Sequence, residues 1–318
     1  MTKLLRRLPA ALLAIVFFVG LMADGKAADS DTVTYGEPRQ IGVVNDDRLA
    51  ESSGLASSIL NPGFFWTHND SGDLPRLFLI DRKGNTLAML TVEGARATDW
   101  EDIASFRKGK DSYLIIGDVG DNRAKRQQHM LYIVKEPRIG REPDPRVSSL
   151  KLSMAVPFIY EDGPHNCESV AVDPTGHTIY LIGKEKGTGC KVYRLAWPIE
   201  RVTQPLTART VATLEIPQVT GMDISPDGRR AIVLTYTDAY EYARGANETW
   251  DKAFARKGRR LPMPMRRQGE SICYGLDGKT LYLTSEGKEQ PLWEVPVAPG
   301  SATALHSPAE PPGRLPQD

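Results

Sequence analysis

The chain has 318 residues, with 40 basic and 40 acidic side chains, 41% hydrophobic residues and 25% charged ones. That composition excludes a disordered or collagen-like chain, and the length suffices for a large core. The zero net charge argues against a general nucleic-acid binder, which carries a clustered excess of Lys and Arg.

Lys3, Arg6 and Arg7 precede an apolar run of 16 residues from Leu8 to Ala23. A spanning helix needs about 20 residues. Gly25 and Ala27 offer the small residues that a signal peptidase reads. Residues 1–27 therefore read as a secretory signal peptide, with a retained anchor as the alternative. No Cys follows the run to carry a lipid, and no later apolar stretch is long enough to span. The expectation is a soluble, monomeric, periplasmic or secreted protein without stable membrane insertion. Removing the leader takes four basic residues and one acidic one, leaving a small negative excess.

A short pattern then recurs, each copy leading into a strand and a turn. It appears as Ser53-Gly54-Leu55-Ala56, Glu101-Asp102-Ile103-Ala104, Glu168-Ser169-Val170-Ala171, Thr220-Gly221-Met222-Asp223 and Glu270-Ser271-Ile272-Cys273. The first positions lie 48, 67, 52 and 50 residues apart. A period near 50 filled with short strands indicates propeller blades of four antiparallel strands. In the first blade the strands are 53–57, 64–68, 76–80 and 86–92, with Asn, Asp and Gly at the joins. The third repeats the scheme over 178–182, 191–195 and 210–216. The fifth lacks a fourth strand, which the segment 32–44 can supply. The reading is an all-β, five-bladed propeller over 28–298, with a six-bladed ring as the alternative because of the 67-residue interval. One helix is expected over 248–257, with Asn247 as N-cap and Gly258 as stop. Residues 299–318 read as a flexible tail rich in Pro, Ala and Ser.

The innermost strand of each blade lines the channel of a propeller. The repeated first position therefore brings Ser53, Glu101, Glu168, Thr220 and Glu270 around one axis. Three carboxylates there repel unless a cation sits among them or some hold protons. All five donors are oxygens, which suits Ca²⁺ better than zinc or copper. The plain alternative is a polar channel that hydrogen-bonds water and backbone.

The loops at the same end of the ring gather further charge. Asp70, Asp118 and His165 are candidate catalytic groups, and Arg96, Lys184, Arg266 and Arg267 are candidate anion-binding groups for a small anionic substrate. Turn chemistry alone also accounts for Asn, Asp and Gly in such loops. The seven basic residues between Lys252 and Arg267 read first as a solvated segment. Of the cysteines, Cys167 and Cys190 close a short loop and are the expected disulfide, whereas Cys273 reads as a small buried residue. There is no G-x-S-x-G elbow, H-E-x-x-H, P-loop or EF-hand loop.

The succession Ser53, Glu101, Glu168, Thr220, Glu270 resembles calcium-activated nucleotidases of the apyrase type, with Thr220 where Ser is typical. That resemblance implies a five-bladed propeller with Ca²⁺ held in its tunnel by hydroxyl and glutamate ligands. The stretches Glu51–Ala56, Trp66–Gly72 and Gln268–Ile272 look closer to secreted bacterial propellers of the phytase-like kind. Together they imply a calcium-dependent hydrolase of phosphoesters or nucleotides. The alternatives are a binding module for a protein or glycan with a structural calcium, and a lactonase.

Overall fold

A computed structural model describes residues 32–140, 148–198 and 202–299. The expected signal peptide, and the expected tail beyond residue 299, lie outside the described residues. The described chain is all-β with a single short helix, and no helix is long and apolar enough to cross a membrane.

The strands fall into antiparallel runs of four. After β1 (Arg39–Val44) comes the first, with β2 (Ser52–Ser57), β3 (Phe64–Asn69), β4 (Arg76–Asp81) and β5 (Thr86–Glu93). The second is β6 (Trp100–Lys108), β7 (Asp111–Asp118), β8 (His129–Lys135) and β9 (Ser149–Tyr160). The third is β10 (Cys167–Asp173), β11 (Thr178–Gly183), β12 (Thr188–Ala196) and β13 (Leu206–Pro217). The fourth is β14 (Val219–Ile224), β15 (Arg230–Thr235), β16 (Asp238–Ala243) and β17 (Arg259–Pro262), with helix α1 (Trp250–Phe254) before its last strand. The last is β18 (Ser271–Tyr274), β19 (Leu281–Thr284) and β20 (Gln290–Val295), and β1 pairs with β20 as its fourth strand. The N-terminal segment thus supplies the missing strand, as its sequence suggested. The long interval between the second and third repeats holds the 12-residue β9 and the loops around it, and β9 pairs at its two ends with β5 and β13 in parallel.

Apolar residues alternate to the two faces of each sheet and fill the gaps between neighbouring sheets. Trp66, Leu77 and Leu79 meet Ile103, Leu114 and Ile116 between the first two runs. Phe65, Phe78 and Leu55 meet Cys273, Tyr282 and Leu292 between the first and the last. Each contact face is fully buried, which at about 25 cal/mol per Å² makes these interfaces the main stabilising term. Helix α1 starts after Thr249 rather than Asn247, because Trp250, Ala253 and Phe254 are the residues it can bury.

The first strands β2, β6, β10, β14 and β18 touch one another in sequence, and β18 touches β2. They do not form a ladder together, so side chains satisfy the backbone between them. Ser53 Oγ donates to the Glu101 carbonyl at 2.7 Å, and Thr220 Oγ1 donates to the Gly269 carbonyl at 2.7 Å. Asp102, wholly buried, accepts the N–H groups of Ile103 (2.8 Å), Val170 (2.9 Å) and Met222 (3.3 Å). Asp223 accepts those of Ile224 and Tyr274, both at 2.8 Å. One buried carboxylate thereby ties three strands from three sheets.

The expected Cys167–Cys190 disulfide does not form; all three cysteines are free and buried. Cys167 faces the core shared with the second run, and Cys190 faces the core shared with the fourth. The two thiols sit on opposite faces of one sheet, where no bond can join them. Thiol titration of unreduced, denatured protein is expected to count three reactive groups, and to count none quickly in the folded state. For Asp102→Ala, orphaning buried N–H groups should cost about 3 kcal/mol in chemical denaturation.

Candidate functional site

Four of the five ring residues sit where the pairing register slips. The ladder of β2 jumps from Ser52 to Gly54, that of β6 from Trp100 to Asp102, and that of β14 from Val219 to Gly221. The β10 ladder jumps from Cys167 to Val170. The skipped residues are Ser53, Glu101, Thr220 and the pair Glu168-Ser169. A β-bulge releases its extra residue from the ladder and re-aims the side chain. Glu270 lies one residue ahead of β18. All five residues are 4% exposed or less.

The five do not act alike. Ser53 and Thr220 place their hydroxyl hydrogens on backbone carbonyls and so stitch neighbouring strands, while their oxygen lone pairs stay available. Glu168 Oε2 pairs with Lys184 Nζ at 2.8 Å, and Asn166 donates to Oε1 at 3.0 Å. Lys184 also lies 3.9 Å from Glu270 Oε1, and its ammonium stands 4.9 Å over the Tyr236 ring. Burial works against this ammonium, but Glu168 and Glu270 overcome it and raise its pKa.

Glu101 joins a different group. One carboxylate oxygen each from Asp70, Asp99 and Glu101 lie within 4.8 Å of one another. Asp70 follows β3, and Asp99 immediately precedes β6. Gly120 makes the approach possible, because a Cβ there would stand 2.1 Å from Glu101 Oε1 and 2.5 Å from Asp99 Oδ2. Burial, then the charges of Glu168, Asp70, Asp99 and Glu270, push Glu101 well above the usual carboxylate range. Burial, with Asp99, Glu168 and Glu270 nearby, pushes Asp70 up to about 7. Burial also raises Asp99, against the pull of Arg126. Burial, with Glu270 beside it, lifts Glu286 to about 9. The set is all oxygen and short of positive charge, and the three converging carboxylates fit a hard divalent cation such as Ca²⁺.

The other sequence candidates separate. Asp118 is buried and held by Arg126 at 2.8 Å and by the N–H groups of Asp99 and Thr98, so it is a structural carboxylate. His165 Nε2 lies 3.0 Å from Asp162 Oδ1, without hydrogen-bond alignment, and its ring packs against Tyr160 and Tyr193. That places it in an aromatic cluster rather than with the three carboxylates. Arg96 and Arg267 are exposed. Arg266 is different: its Nε and Nη1 are buried without a partner among the described residues. Its Nη2 is 3.5 Å from the carbonyl of Thr235, the neighbour of Tyr236. Burial lowers this guanidinium to about 10. Asp99 and Glu286 do not occupy the repeated position; the sequence offered only their place in the charged loops at that end of the ring.

No family model and no curated protein matches the chain. Among solved structures, it is similar to a gluconolactonase from Xanthomonas campestris, at 11% identity and a TM-score of 0.44, over 84% of this chain and 98% of that one. It is also similar to the soluble aldose sugar dehydrogenase of Escherichia coli in its apo form, at 12% identity and a TM-score of 0.48, over 82% and 99%. Neither is a phytase or an apyrase-type nucleotidase.

The raised carboxylates fix the sign of a pH effect. Asp70 and Glu286 bind protons more tightly folded than unfolded, so their contribution to metal-free stability is full below about pH 4 and is lost as pH rises through about 7 and about 9. The Tm in EDTA is expected to be higher at pH 5 than at pH 8. Millimolar Ca²⁺ should raise Tm at pH 8 and do little at pH 5. A Tm in EDTA that climbs from pH 5 to pH 8 would contradict this assignment.

Proposed function

We propose that the chain is a closed five-bladed propeller holding Ca²⁺ through Asp70, Asp99 and Glu101, and that it hydrolyses small anionic substrates, phosphoesters first. Five runs of four strands, with β18 against β2, support the ring. The sequence of residues 1–27 supports action outside the cytoplasm, as a periplasmic or secreted protein. The observation that carries the functional reading is the meeting of three carboxylates, with Glu168 and its partner Lys184 close by; Arg266, with two buried and unpartnered nitrogens, is a second candidate cation. A divalent ion bound there supplies charge that stabilises negative charge developing on a substrate oxygen. Lys184 and Arg266 orient the substrate anion, Arg266 with donors already stripped of water. Glu168 keeps Lys184 charged and in place.

The test is product release by the mature protein from nucleotides, phosphomonoesters and lactones, in calcium and in EDTA. Calcium-dependent phosphate release is expected, and Glu101→Gln should lower it by about 100-fold or more. Arg266→Ala should raise KM more than it lowers kcat. If no substrate turns over while calorimetry still reads calcium binding, the hydrolase reading falls and a calcium-stapled binding module remains.

A further inference from the structure

The first strands run in the same direction, so the opposite mouth of the channel gathers their C-terminal ends. Ser105 Oγ donates to the Ser57 carbonyl and Ser57 Oγ to the Tyr274 carbonyl, both at 2.7 Å, four residues beyond the ring positions of their strands. At about 3.3 Å per residue, this mouth lies some 13 Å or more from the acidic one. A cavity of about 210 Å³ opens there. Its walls come from all five strands and the turns after them, with Ser57, Phe106, Val172, Ile224 and Tyr274 as representatives. Leu276 stands at the rim, 44% exposed.

Asp223 lines this otherwise largely apolar space. Each of its oxygens takes one backbone N–H, from Ile224 and from Tyr274. A carboxylate has about four lone-pair sites, so acceptor capacity remains. No ion pair of Asp223 occurs among the described residues. Burial pushes its carboxyl up to about 7, consistent with a charge that lacks a counter-cation. The cavity's one cation, Arg107, is exposed, where solvent screens it.

We propose that this cavity is a second ligand site, independent of the acidic mouth, for a small organic ammonium ion carrying an apolar group. The ammonium would meet Asp223, and the apolar group would fill the space between Phe106, Val172, Ile224 and Tyr274. The volume lies below the usual range for drug-sized ligands, about 300–1,000 Å³, which limits the occupant to a single small ring or short chain.

Calorimetry with phenethylammonium and its neutral counterpart 2-phenylethanol tests this at pH 8. Saturating calcium occupies the acidic cluster in one series, and EDTA empties it in the other. One phenethylammonium ion per chain is expected in both, with phenylethanol at least about tenfold weaker. Asp223→Asn should weaken the ammonium at least tenfold as well. Should that variant fail to fold, Leu276→Trp decides, since it blocks the rim from an exposed position and should abolish binding without lowering Tm. Equal binding of the alcohol, undiminished binding by Leu276→Trp, or binding lost when calcium is added would each overturn the proposal.

Discussion

Like charge held away from water is the constraint on which the rest of the structure turns. Two unit charges 4 Å apart repel by about 4 kcal/mol at an effective dielectric constant near 20. Asp70, Asp99 and Glu101 form three such pairs, and Glu168, Glu270 and Glu286 stand close by. The sum approaches the whole net stability of a typical domain, about 5–15 kcal/mol. The site therefore exists in one of two conditions, with protons on its carboxyls or with a cation among them. Lys184 neutralises one side, through Glu168, and leaves the other open.

The scaffold can hold that charge because its interior is divided between two kinds of bonding. Between sheets the contacts are apolar and large. Among the first strands they are hydrogen bonds from side chains to the backbone of the next sheet. Asp102 and Asp223 are carboxylates in this second role, held by N–H groups rather than by cations. The bulges in β6 and β10 free Glu101 and Glu168 from the ladders, and the two carboxylates feel each other's charge.

Much of this was legible in the sequence. The repeated first position marked each of the five first strands, and in four of them it falls at a bulge. Position alone could not say what each side chain does there. A hydroxyl has a hydrogen to place, and the nearest carbonyl takes it, so Ser53 and Thr220 also tie strands together. Asp118 has the spacing of a loop acid, yet Arg126 captures it. The faces of Cys167 and Cys190 depend on a register slip in β10, and a slip of one residue reverses a face. Asp99 and Glu286 reach the site from loops whose course no periodicity encodes.

The pairing of β1 with β20 has a consequence for how the molecule comes into being. Arg39 and Glu294, joined across that pair, are 255 positions apart. The earliest described strand to be synthesised must wait for the latest. Until then β1 is an unpaired edge, and such edges invite pairing with other chains. Contacts this distant in sequence also slow folding. A protease or a premature stop acting at either end of the described chain strips the same sheet, so the two termini share a single point of failure.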